Sequence, residues 1–263
     1  MEAVLWRAGG VALKDSQKFT TIAHGDHRYF SPLSVAKAAA LVALFRLQPG
    51  DRVLDIGCGR AQLLIDILQA QPGRGVGVDR NEAFVALAQA GAEAAGVARR
   101  LTMIARSLRE AITDQDTFAG IVCMGSSQAM GSFAKALAWS YGVLTPGGVA
   151  LFADGYWKRP PADDYLQVLG ATADEMQTHA GNAALARDAG YRVLYTTTSS
   201  DDEWDEYEGR YCCAVERYID ANPDDPDVDA MAKRIRQWHD AYLRWGRDTL
   251  GFGFYFLLKP SQK

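Results

Sequence analysis

A short apolar run that breaks at two closely spaced glycines constrains this chain more than any other feature. Val53-Leu54-Asp55-Ile56 reads as a buried strand, and Gly57-Cys58-Gly59 as a tight turn. From Leu63 to Leu68 the apolar residues recur at helical spacing. Strand, glycine turn and helix together present backbone to a ligand. Glycine accepts φ > 0 and lets a ligand lie against the chain, and the first turn of the following helix carries N–H groups without intrahelical partners. A second stretch, Gly75-Val76-Gly77-Val78-Asp79, is another short apolar strand, and it ends in a carboxylate. Asp79 stands roughly 20 residues past the turn, where an acidic side chain at the tip of the second strand accepts hydrogen bonds from a ribose diol. Each bond to such a charged acceptor contributes about 1.5–3 kcal/mol.

Two ligand classes use this geometry. Dinucleotide enzymes place a pyrophosphate on the helix N-terminus and carry G-x-G-x-x-G. Here the third glycine is replaced in Gly57-Cys58-Gly59-Arg60-Ala61-Gln62, and Asp55 stands two residues before the first glycine. A carboxylate there opposes a pyrophosphate and suits an amino group. Val53–Leu64 with Gly75–Asp79 resembles motifs I and II of the class I S-adenosylmethionine (SAM) dependent methyltransferases, which hold an amino-acid moiety where dinucleotide enzymes hold phosphates. Leu144-Thr145-Pro146-Gly147-Gly148 before the fifth strand adds to the resemblance, which covers roughly Pro32–Ser199 and Phe252–Lys259. It implies an α/β fold: a seven-stranded Rossmann-like sheet with helices on both faces, the seventh strand antiparallel between the fifth and sixth.

The resemblance also implies roles. Gly57 and Gly59 let the ligand lie along the turn, Asp55 serves its ammonium end directly or through water, Asp79 takes the ribose, and Arg80 flanks the adenine. The family often has an Asp after the third strand for the adenine amino group. Ser107 stands at that position, a weaker acceptor, with the N–H of Leu108 next to it. Gly125 and Ser126, after the fourth strand, are expected beside the methionine portion. The implied cofactor is SAM, with S-adenosylhomocysteine (SAH) as product.

The rest of the chain reads as alternating elements, which argues for a parallel sheet. Ser31-Pro32 has the form of an N-cap and first-turn proline before a helix over Ser34–Leu47, ended by Pro49-Gly50. Asn81 caps a helix through Ala95 that Gly96 closes. Leu101–Ala105 and Phe118–Met124 are strands three and four. A helix with Phe133, Leu137 and Tyr141 on one face follows. Leu144–Gly148 is read as a turn, Val149–Ala153 as strand five, Asp174–Ala189 as a helix, Tyr191–Thr197 as strand six and Phe252–Leu258 as strand seven. The connection between strands six and seven is too long for a hairpin. It carries two helical patterns, Trp204/Tyr207/Tyr211/Val215/Tyr218 and Met231/Ile235/Trp238/Tyr242/Trp245, parted by Asn222-Pro223-Asp224-Asp225-Pro226. We read one methyltransferase domain over 1–263, with residues 1–47 as an N-terminal cap segment and a helical insertion at 201–250 as the candidate substrate cover.

A net charge of −4 without a Lys/Arg run disfavours nucleic acid as partner. The spacing of Cys58, Cys123, Cys212 and Cys213 fits neither a metal site nor a disulfide framework, and no H-E-x-x-H or paired C-x-x-C occurs, so no metal is expected. The first 20 residues hold Glu2, Arg7, Lys14 and Asp15 rather than an apolar targeting core, and no apolar run approaches ~20 residues. A cytoplasmic protein with no membrane association is the expectation; oligomeric state is not legible.

Acceptor chemistry is written less sharply. His27 and Tyr29, with His24 nearby, precede the segment that this family often folds over its active site, and they are the candidate catalytic residues. Tyr156 and Trp157, after Asp154 at the expected end of strand five, and Trp204, Tyr207 and Tyr211 of the insertion are candidates for the substrate pocket; otherwise they are packing residues. His179 and His239 read as surface positions. The leading function is methyl transfer from SAM to a small-molecule acceptor, partly apolar or cationic. The alternatives are a SAM-binding sensor or partner subunit that does not methylate, and a nucleotide-cofactor oxidoreductase.

Overall fold

The computed structural model describes residues 16–261; the first fifteen residues of the 1–47 cap segment lie outside them. In chain order the elements are α1 (Ser16–Ala23), α2 (Val35–Val42), β1 (Arg52–Ile56), α3 (Gln62–Ala70), β2 (Arg74–Asp79), α4 (Glu82–Ala94), β3 (Leu101–Ala105), α5 (Leu108–Ala111), β4 (Phe118–Met124), α6 (Phe133–Val143) and β5 (Leu144–Trp157). They continue with α7 (Asp163–Leu169), α8 (His179–Asp188), β6 (Arg192–Thr198), α9 (Asp201–Ala221), α10 (Val228–Ala241), a π-turn at Tyr242–Gly246 and β7 (Leu250–Leu258). The strands form one sheet in the order β3-β2-β1-β4-β5-β7-β6. β1 is parallel to β2 and β4, β2 to β3, and β4 to β5, whereas β6 and β7 are antiparallel. This is the expected seven-strand arrangement, with the last strand between the fifth and sixth.

Two compact units divide the chain. The sheet unit comprises Ser34–Asp154, Ala180–Thr198 and the chain from Phe252. Its central strands are buried on both faces, which is why they read as nearly unbroken apolar runs. Leu54, Ile56, Ile121, Phe152 and Tyr255 pack in one cluster with Leu137 of α6 and Ala186 of α8. Ile65 and Leu68 of α3 pack with Ala92 of α4 in another. The other unit gathers the described residues up to Leu33 with Gly155–His179 and Ser199–Gly251. Phe19 and Ala23 of α1 pack there against Tyr211 and Val215 of α9 and Met231 and Ile235 of α10. Lys18 ties the α9–α10 connection to α1 through Asp225 at 2.7 Å and Asp227 at 2.9 Å. Ser200 and Glu203 form a capping box at the start of α9.

Several local readings need correction. Ser34, not Ser31, caps α2: its hydroxyl accepts from the N–H of Lys37 at 3.2 Å. That helix stops at Val42 rather than Leu47, because Leu44 and Phe45 bond back to the carbonyls three residues earlier and Phe45 is fully buried. Leu144–Gly148 belongs to β5 instead of preceding it. Phe118 pairs with Leu144 and Gly120 with Val149, so the proline and glycines are absorbed as a bulge. Gly147 and Gly148 exchange backbone bonds with Lys259 at 2.9 Å. β5 also runs on to Trp157, so Asp154, Tyr156 and Trp157 lie within the strand and not after it. Asp174–Ala189 is not one helix. Thr172 and Glu175 cap a single 3-10 turn, Met176 is extended, and α8 begins only at His179.

Candidate functional site

The turn after β1 is built from left-handed residues. Gly57 has φ +61°, Gly59 +54° and, without a glycine's freedom, Ala61 +53°. An alanine in that region costs about 1–2 kcal/mol. Ala61 is held there by burial, by its N–H on the Cys58 carbonyl at 2.8 Å, and by its own carbonyl, which accepts from Ile65 in the first turn of α3. The need for glycine at 57 is steric as well: a Cβ there would stand 2.5 Å from Cβ of Ser126. The turn is tied to β2 by Cys58 N–H donating to the Val78 carbonyl at 3.1 Å and by Gly59 N–H donating to Oδ2 of Asp79 at 2.8 Å.

Asp79 is thereby fixed from two sides. Its other oxygen accepts from the N–H of Asn81 at 2.8 Å, and Asn81 caps α4 through Ala83. Burial raises its pKa, with the backbone donors of Asn81, Gly59 and Arg80 opposing that rise. An ionised carboxylate has about four acceptor positions, so the two well-formed bonds from Gly59 and Asn81, with the weaker approach of the Arg80 N–H, leave capacity for a ribose hydroxyl. Asp55, on β1 between Gly77 and Val122 of the neighbouring strands, is 4% exposed. Burial, and then the charge of Asp79, hold its carboxyl well above the usual range. Cys58 is half-buried; desolvation within the turn, and then both carboxylates, push up its thiol.

Gly125 and Ser126 close the corner from β4. Gly125 takes φ +64° and donates to the Ala153 carbonyl at 2.7 Å. The hydroxyl of Ser126 donates to the Ile56 carbonyl and lies 3.4 Å from Sγ of Cys123. Its side chain therefore fixes the end of β1 behind Gly57. Sequence reading missed two neighbours: Ser127, whose hydroxyl donates to Oδ2 of Asp154, joins β4 to β5, and Ala61 completes the turn. Ser127 carries no motif signal, and alanine gives no hint of a left-handed backbone. Ser107 heads α5 two residues past Ala105, the register partner of Asp79. Its hydroxyl donates to Glu110 at 2.6 Å, so only its lone pairs and the N–H of Leu108 face the role expected of them. Arg80 is exposed.

All of these cofactor candidates lie in the sheet unit, at or just beyond the carboxyl ends of β1, β2, β3 and β4. Every acceptor candidate belongs to the other unit. There His24 and His27 are both buried with ring centroids 5.3 Å apart. A ring nitrogen of His27 lies 2.9 Å from the Tyr207 carbonyl and one of His24 lies 3.3 Å from the Tyr207 hydroxyl. Burial lowers both histidines, His24 to about 3. Tyr29 accepts from Arg28 at 3.3 Å. Tyr207 and Tyr211 pack on this pair, and Trp204 packs on Tyr207. Trp157 is occupied structurally: its indole N–H donates to the Ala173 carbonyl at 2.8 Å and its backbone N–H to Gln177. Tyr156 lies across Gly251, where a Cβ would come within 2.2 Å of the ring, and against His179 at 5.2 Å. His179 is therefore half-buried under a tyrosine rather than a surface position, and burial lowers its pKa. Among the described residues no helix is long and apolar enough to cross a membrane.

Residues 53–148 match the family model of a methyltransferase domain. The chain is similar to a SAM-dependent methyltransferase from Geobacter sulfurreducens, solved in complex with S-adenosyl-L-homocysteine: 28% identity, TM-score 0.86, covering 94% of this chain and all of that one. A SAM-dependent methyltransferase from Thiobacillus denitrificans, also solved with S-adenosyl-L-homocysteine, is 27% identical with a TM-score of 0.84, over 92% of this chain and 98% of that one. An uncharacterised protein, YjhP of Escherichia coli, is 28% identical over 93% of this chain and 99% of its own length.

Proposed function

We propose that this chain, a class I SAM-dependent methyltransferase by its domain match and its fold, carries the methyl group to a small-molecule acceptor. The observation that carries the site assignment is Asp79, set by Gly59 and Asn81 at the tip of β2 with buried Asp55 on the adjoining strand. These residues fit the donor. Asp79 would take the ribose hydroxyls, Asp55 the ammonium end, and the left-handed turn leaves the backbone exposed at Gly57 for close approach. Ser107 with the Leu108 N–H, flanked by Arg80, would meet the adenine, and Gly125 and Ser126 would lie beside the methionine portion. When bound, SAM supplies a methyl group on a sulfonium.

The protein's task is to hold donor and nucleophile in line and exclude water, and such positioning contributes roughly 7–11 kcal/mol. On the acceptor side, burial lowers the pKa of His27 and so favours its neutral form, the form a general base needs, with Tyr29 as the second candidate. Tyr156, Trp204, Tyr207 and Tyr211 would form the pocket, with Trp157 supporting it from β5 and the cap segment and the 201–250 insertion as its cover. Their aromatic character favours an apolar or cationic acceptor, since a cation over an aromatic face gains up to about 2 kcal/mol when desolvated.

Calorimetric titration with SAM, SAH and NAD in parallel tests the donor assignment, and binding of NAD alone would overturn it. Candidate small molecules are then screened for SAM-dependent gain of one methyl mass. Labelling confined to tRNA would sink the small-molecule reading.

A further inference from the structure

The opposite edge of the sheet unit holds a cavity of about 240 Å³ that donor binding does not explain. Four arginines line it: Arg52, Arg74, Arg99 and Arg100. They are scattered in the sequence, but the sheet gathers them. Arg52 and Arg74 are register partners at the N-terminal ends of β1 and β2. Gly75 pairs with Leu101, which brings Arg100 alongside Arg74 at the start of β3. Neighbouring strands lie about 4.8 Å apart, so the first residues of β1 and β2 and the residue just before β3 set three cations in one row. A row of like charges at that spacing is destabilising unless an anion answers it. The one carboxylate on the cavity wall is Asp116, which meets Arg52 at 3.4 Å and is also engaged by the backbone and hydroxyl of Thr113. Four guanidinium groups against one carboxylate stand out in a chain whose net charge is −4.

The arginines divide into fixed and open groups. Arg100 is anchored on the carbonyls of Leu68, Gln71 and Gly73, and Arg52 lies 4.6 Å over the ring of Phe118. Arg74 and Arg99 are exposed, and their side chains make no ion pair among the described residues. Val76 and Ile104 give the cavity an apolar patch. We infer that this cavity binds a small phosphate-bearing anion, a phosphomonoester or a diphosphate. Guanidinium forks match phosphate oxygens bidentately. The volume lies below the roughly 300–1,000 Å³ of pockets for drug-sized ligands, and the concave wall suits a small molecule rather than a polymer backbone. The arginine end of the cavity is separate from the donor turn, since β1 from Arg52 to Ile56 spans roughly 13 Å at about 3.3 Å per residue.

The test is calorimetric titration of the full chain with inorganic diphosphate, inorganic phosphate and glycerol phosphate at low salt, with SAH titrated separately. The expected result is saturable one-to-one binding of at least one of these probes that weakens as salt rises. Binding should fall by about tenfold or more in Arg74→Glu/Arg99→Glu, the loss expected when charge-assisted bonds are removed, while SAH affinity is unchanged. Preference for glycerol phosphate over diphosphate would assign the ester class, and the reverse the diphosphate class. No saturable binding of any probe, or equal binding in the variant, would overturn the inference. Because SAH is read independently, loss of the donor assignment would be distinguishable from loss of this one.

Discussion

The backbone N–H of Gly59 and the carboxylate of Asp79 meet at 2.8 Å, so the residue that would receive the ribose also holds the glycine turn in place. Substitution at 79 therefore acts twice. Asp79→Ala is expected to weaken SAH binding by about 2–3 kcal/mol, the scale for lost bonds to a charged acceptor. Asp79→Asn should also weaken it, because one amide edge must then turn an N–H toward the N–H of Gly59 or Asn81. Calorimetry on both variants reads the loss, and an unchanged affinity in Asp79→Ala would mean that the ribose lies elsewhere.

Gly57 and Ser126 form a second coupled pair. Gly57→Ala meets Cβ of Ser126 at 2.5 Å and pays about 1–2 kcal/mol for its left-handed backbone. The urea midpoint should fall and SAH binding should be lost. Ser126→Gly removes the opposing Cβ but also the bond to the Ile56 carbonyl. The double variant should thus be more stable than the two single losses predict, by about 0.5–3 kcal/mol of coupling. Strict additivity in a urea double-mutant cycle would show that the clash does not govern this glycine.

The donor corner was legible because each part has a local signature. Glycines mark the positive-φ turn, a buried strand is an apolar run, and Asp79 sits at the end of its strand. Strand four was bounded correctly for the same reason, and strand three, an edge strand with no buried residue, by its short apolar stretch alone. What was not legible depended on register and burial. Leu144–Gly148 has turn chemistry, yet pairing of Phe118 with Leu144 draws it into β5. α7 was missed although Pro160-Pro161 precedes it, Asp163 and Asp164 fill its first turn and Gly170 closes it at φ +60°. Trp157 reads as a pocket aromatic but spends its indole N–H on Ala173. The arginine row is invisible in sequence, because β1, β2 and β3 place side by side residues that lie far apart in the chain.

Glu208 on α9 should make stability depend on pH. It is 3% exposed, receives the Trp238 indole N–H at 2.6 Å, and is pushed by burial up to about 7. The unfolded chain releases this proton near pH ~4.3. Between those values the native state binds more protons, so stability falls as pH rises through the window. Glu208→Gln keeps an acceptor for Trp238 and removes the charge. Scanning calorimetry at pH 4 and pH 8 should show a variant close to the parent at pH 4 and more stable than it at pH 8, by up to about 3–4 kcal/mol on the scale of 1.36 kcal/mol per pKa unit. Equal pH dependence in the two proteins would clear Glu208 as the origin.

Asp55 gives the donor assignment a signature independent of affinity. Burial and the neighbouring charge of Asp79 hold its carboxyl well above the usual range. In the native state with the site empty, Asp55 therefore keeps its proton to higher pH than in the unfolded chain, and over that interval folding stability falls as pH rises. A ligand ammonium beside it favours the charged form, so binding should release the proton, and affinity should rise with pH through the same interval. An α-amino group stays largely charged below pH ~7.7, so titrations near pH 6.5 isolate the carboxyl. SAH titrated in two buffers of different ionisation enthalpy should show unequal apparent enthalpies, and the difference gives the protons released. Asp55→Asn should abolish that difference and weaken binding. If the parent protein shows no buffer dependence while binding SAH, Asp55 does not receive the ammonium.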